Sequence, residues 1–117
     1  MAADRKRYDF HSGTITDNPL LIGAVTMNSA NLASVPAIVS GVDYIAIILD
    51  PSGTAGDPEI VWMTAHTAAA TSGTIARSQE STVAREHLLA VNWIHGPTAL
   101  DFPNLEGLKV VQMWNFK

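Results

Sequence analysis

The sequence predicts a mainly β protein: a small single-domain sandwich or barrel with one short helical segment and extended terminal arms. Three observations predict this class. Runs rich in β-branched and aromatic residues recur about every 10–15 residues with turn formers between them, the rhythm of a small all-β domain. The 117 residues suffice for one domain and one modest core. Hydrophobic residues make up 47% and charged residues 15%, which excludes disorder for most of the chain.

Each element has its own warrant. Residues 13–16 are followed by Asp17-Asn18-Pro19, a turn signal, and then by the apolar run 20–25. Residues 27–31 read as a loop or one helical turn leading to 32–36. The strongest strand is 44–49, Tyr-Ile-Ala-Ile-Ile-Leu, whose nearly unbroken apolar character is expected where both faces of a sheet are covered. Residues 50–57 are almost all turn formers, so 59–67 returns as a second strand and completes a hairpin. A connection over 68–73 leads to a third strand at 74–78. Residues 79–87 have helical composition, with Ser81 or Thr82 available as an N-cap, and predict one or two helical turns. Residues 91–95 alternate and stop at Gly96-Pro97, a fourth strand. The tail 108–116 is again rich in strand formers. The chain thus divides into a basic N-terminal arm (1–12), a β domain (13–107) and a C-terminal strand or arm (108–117).

Charge is unevenly placed. Arg5, Lys6 and Arg7 face a single carboxylate within residues 1–7, although the whole chain carries −4. A basic arm on an acidic body suggests an arm that reaches for an acidic neighbour, including another copy of the protein. The acidic balance argues against binding nucleic acid by phosphate neutralisation. Cysteine is absent, which excludes disulfides and thiolate zinc sites. No apolar run approaches the ~18 residues of a membrane span, and the basic start leads into no apolar signal segment.

Little in the sequence looks catalytic. His11, His66, His87 and His95 show no helical ligand spacing, and no phosphate loop, dinucleotide fingerprint or nucleophile elbow occurs. His66 and His95 read as half-buried strand residues bonded to neighbours. The expectation is no enzyme, no metal and no cofactor. Trp62 and Trp93 read as core aromatics, paired across the sheet. Trp114 and Phe116, within the last four residues, suit either an ordinary closing strand or an anchor in a partner's pocket.

One stretch carries a resemblance. It begins Glu59-Ile-Val-Trp-Met-Thr, passes through a Thr/Ala-rich turn to Ile75-Ala-Arg77-Ser-Gln-Glu80-Ser-Thr, continues through Ala84-Arg85-Glu-His87 and closes on Trp93-Ile-His-Gly-Pro-Thr-Ala99. In composition and order it resembles a module of tailed-bacteriophage virion proteins, over roughly residues 43–102. Ser78 and Ser81 stand where that family usually has glycine, so a turn needing φ > 0 there must be built differently. Within the motif, Arg77 and Glu80 flank a tight turn and are expected to pair, while Arg85 and His87 return to the same corner as structural residues.

The resemblance implies a virion component. A single short domain without stalk or coiled coil favours a capsid decoration (cement) protein on the outer head surface, assembled in the host cytoplasm as a homotrimer. The expected partners are the major capsid protein and further copies of itself, without nucleic acid or membrane. Arg5, Lys6, Arg7, Trp114 and Phe116 are the candidate partner-binding residues. A tail-fibre or baseplate component contacting the host surface is the alternative, and a glycan-binding module a third class.

Overall fold

The computed structural model describes residues 4–8 and 10–98. Seven strands form one sheet: β1 (Asp4–Arg5), β2 (His11–Thr14), β3 (Thr26–Asn28), β4 (Asp43–Leu49), β5 (Glu59–His66), β6 (Ser72–Gln79) and β7 (Asn92–His95). The strands run in the order β2-β7-β4-β5-β6-β3, and β1 pairs in parallel with the start of β4. The fold is mainly β, with the sheet curled into a half-barrel. Every other pairing is antiparallel. The two outer strands approach each other where Thr16 N–H donates to the Asn28 carbonyl (2.8 Å). Asp17 fixes that seam, accepting from the Asn28 backbone and side-chain amides at 2.8 Å each.

The inner face follows from period-two alternation. Ile45, Ile47 and Leu49 of β4 and Val61 and Met63 of β5 point inward and are fully buried, with Trp93 of β7 and Ile75 of β6. Trp93 also donates its indole N–H to Ser29 Oγ (2.9 Å), which satisfies a buried polar group inside the core. One 3-10 turn (Ala30–Ser34), capped by the Ser29 side chain, lies against β2 and β6 and adds Leu32 to the core. Gly73 is required by close approach, because a Cβ there would lie 2.6 Å from Met63 Sδ.

Three expectations need correction. Residues 79–87 form no helix: Ser78, Glu80 and Ser81 adopt left-handed backbone (φ 56°, 55° and 70°), and the chain then runs on to an isolated bridge at His87. Serine therefore occupies the φ > 0 positions itself, and Ser78 Oγ steadies the turn by accepting from Ala84 N–H (2.7 Å). Trp62 is not a core residue paired with Trp93. It lies on the opposite face of the sheet, half-buried, with its ring 4.5 Å from that of Tyr44. Arg77 and Glu80 do not pair, because the left-handed turn carries Glu80 to the outer face while Arg77 meets Glu59 on the inner one.

Candidate interaction surface

Glu59 opens β5 on the inner face, and its carboxylate is wholly buried. Arg77 lies on the neighbouring strand and binds it with both prongs, Nε to Oε2 and Nη2 to Oε1, each at 2.8 Å. The Ser78 and Arg85 backbone N–H groups donate at 3.2 and 3.3 Å, and His87 Nε2 lies 2.8 Å from Oε1. That contact assigns the His87 proton to Nε2, and Nδ1 is left buried without a partner. Burial alone raises the carboxyl pKa, but the bonds from Arg77, His87 and Ser78 outweigh it and hold Glu59 down at about 2. Such a group remains a fixed counter-ion near neutral pH and is a poor proton acceptor.

A second pair extends the corner. Arg85 Nη2 donates to Asp50 (2.6 Å) and its Nε to the Asp57 carbonyl (2.7 Å), tying the 50–57 loop to the same place. Desolvation opposes ionisation of Asp50, yet its bonds from Ala55, Thr54 and Arg85 hold its pKa well below the usual carboxylate range. Of the four residues expected at this corner, Arg77, Arg85 and His87 converge on Glu59. Glu80 does not. The left-handed turn carries it to the other face, where it accepts from Arg5 Nη1 (3.0 Å) and from the Trp62 indole (2.8 Å).

The corner anchors two loops side by side. Leu20 and His87 exchange backbone hydrogen bonds at 2.8 and 3.0 Å, and the Arg77 guanidinium also donates to the carbonyls of Leu21, Ala24 and Arg85. These two loops project Leu21, Ile22 and Val25 on one side and Val83, Leu88 and Leu89 on the other. They hold six of the nine large hydrophobic side chains exposed among the described residues, and each of the six is more than half exposed. Exposed apolar side chains on two neighbouring loops are what a docking surface requires. The sequence showed the apolar runs; it did not show that a buried carboxylate holds both of them outward.

The basic segment turns toward its own domain. Arg5 forms an ion pair with Glu80 at 8% side-chain exposure, donates to Thr98 Oγ1 (2.8 Å) and lies 5.8 Å above the Tyr44 ring. Lys6 reaches Asp43 at 3.7 Å, and Arg7 donates to the Arg5 carbonyl (3.3 Å). Trp114 and Phe116, with the C-terminal strand or arm 108–117, lie outside the described residues. His66 and His95 are buried, and each is bonded to backbone: His66 to the Pro36 and Ala70 carbonyls, His95 to the Ala46 carbonyl and the Tyr8 N–H. No group of three or more His, Cys, Asp or Glu among the described residues is placed to hold a metal ion. No protein-family model and no curated protein matches the chain.

Proposed function

We propose that this protein is a structural component of a tailed-phage virion, a decoration protein that binds the outer head surface as a homotrimer. One observation supports the reading: four residues of the stretch that resembles virion proteins converge in one place, although Glu80 does not join them. Glu59, Arg77, Arg85 and His87 build the corner, and the corner presents the apolar loops. A stiff platform lowers the ordering cost of docking on a lattice, where many copies each bind weakly. The loop leucines and valines supply the contact, and the capsid surface and neighbouring copies are the partners.

Immunogold labelling of purified virions tests the location. Label over the head is expected, and label confined to the tail would favour the tail-fibre or baseplate alternative. The surface is tested by Leu21→Ser with Leu88→Ser, which removes about half a leucine's burial at each position, roughly 2 kcal/mol together. Binding to heads should weaken about 30-fold with the melting temperature unchanged. Unchanged binding overturns the surface assignment. Light scattering should give about three times the 12.5 kDa chain mass.

A further inference from the structure

At its centre, across β4 and the first half of β5, the sheet is apolar on both faces. Opposite the core, the register places Ala46 beside Trp62 and Trp62 beside Ala76 in one row. Ile94, Ile48 and Ile60 form the next row. Ile48, Ile60, Trp62 and Ile94 are half-buried, and none belongs to the core cluster. An antiparallel sheet with one face in water normally alternates apolar and polar residues. β4 and the first half of β5 do not, so this part of the outer face calls for a cover.

Size decides what kind of cover fits. Strands about 4.8 Å apart and rows about 7 Å apart make the patch roughly 15 Å across, a few hundred Å². A stable interface between two folded partners needs about 800 Å² from each. The patch is too small for that, but it matches an extended stretch of about five residues at ~3.3 Å each. The chain supplies such a stretch at the right place. Thr98, the last described residue, accepts from Arg5 and donates to Glu80, whose carboxylate also holds the Trp62 indole. Thr98 is therefore pinned at the edge of the patch. Of the residues that follow it, 99–117, nine are Val, Leu, Met, Phe or Trp.

We propose that the outer face of β4 and β5 is the docking seat of a stretch of about five residues around Lys109, within the chain's own C-terminal segment 99–117. Covalent attachment at Thr98 makes its local concentration high, so docking within one chain outcompetes exchange with a neighbour. The inference is independent of the virion reading. It accounts for the near-continuous apolar character of 44–49, since both faces of β4 are then covered.

Trypsin provides the test on the full chain, because Lys109 lies within the segment. Cleavage after Lys109 should be at least tenfold slower than in a free peptide of residues 99–117, at every protein concentration. Ile48→Ala with Ile60→Ala, both away from the core, should restore fast cleavage while thermal unfolding remains cooperative. If that variant fails to fold, the concentration series on the unaltered chain decides alone. Cleavage as fast as in the peptide overturns the proposal. Protection that disappears on hundredfold dilution overturns it too, because the segment then comes from a second copy.

Discussion

Replacing Glu59 with glutamine keeps the side chain's shape and removes its charge. In the folded protein the carboxylate accepts five donors while fully buried. The amide would turn its own N–H₂ toward some of them and leave Arg77 as a buried cation without its counter-ion. Breaking a buried pair by removing one partner costs about 3–5 kcal/mol. The depressed pKa supplies a separate figure. A shift from 4.5 to about 2 corresponds to roughly 3 kcal/mol favouring the ionised, folded form. For a chain of this size, about 4 °C of melting temperature accompanies each kcal/mol, so Glu59→Gln should melt roughly 12–20 °C lower at pH 7. The pH dependence has a definite sign. The folded pKa lies below the unfolded one, so the contribution is complete above about pH 4.5 and is lost as pH falls toward about 2. Calorimetric melts of both proteins between pH 7 and pH 2.5 should therefore converge on acidification. A neutral-pH difference under about 3 °C, or a difference that does not shrink in acid, refutes the central place given to Glu59.

Three further outcomes are expected. Ser81→Gly relieves a left-handed serine and should raise the melting temperature by about 2–6 °C, since αL costs a non-glycine residue about 1 kcal/mol; a fall in calorimetric Tm would show that the Ser81 side chain contributes unseen contacts. Gly73→Ala forces a methyl into Met63 and should cost about 1–3 kcal/mol by chemical denaturation, and a neutral result would mean the sulfur moves freely aside. Trp93→Phe removes ring volume and the bond to Ser29, and should cost about 2–3 kcal/mol in the same assay, with a loss below ~1 kcal/mol placing Trp93 outside the tight core.

The strands that alternate, or that run apolar between turn formers, were legible. β4, β5, β6 and β7 lie within a residue or two of where composition puts them, because burial on a pleated surface leaves a period of two. β1 and β3 were not. Two or three residues are too few to show a period, and both strands exist because a neighbouring edge was available. The partner of Arg77 was misread because Glu80 is three residues away and Glu59 eighteen. Proximity along the chain mattered less than facing: Arg77 points inward with Ile75, and the left-handed turn swings Glu80 to the outside. The corner was thus half readable, its basic members from the motif and its carboxylate from register alone. Helical composition at 79–87 lost to the fixed bonds of Thr82 Oγ1 with Ile60 N–H, and of the Arg85 backbone N–H and the His87 ring Nε2–H with Glu59.

The place of β7 in the sheet has a consequence for biosynthesis. β7 inserts between β2 and β4, although it is the last described strand to be made. At about 5–20 residues per second, the roughly 80 positions separating β2 from β7 take on the order of 4–16 s to translate. Throughout that interval β2 has no sheet partner, and the end of β4 exposes Ile48 and Leu49 along an unpaired edge. A nascent chain in this state offers its neighbours on the polysome the same backbone groups that β7 will later take. Rapid synthesis at high copy number would then favour strand exchange between unfinished chains, whereas slower synthesis or chaperone occupancy lets each sheet receive its own final strand.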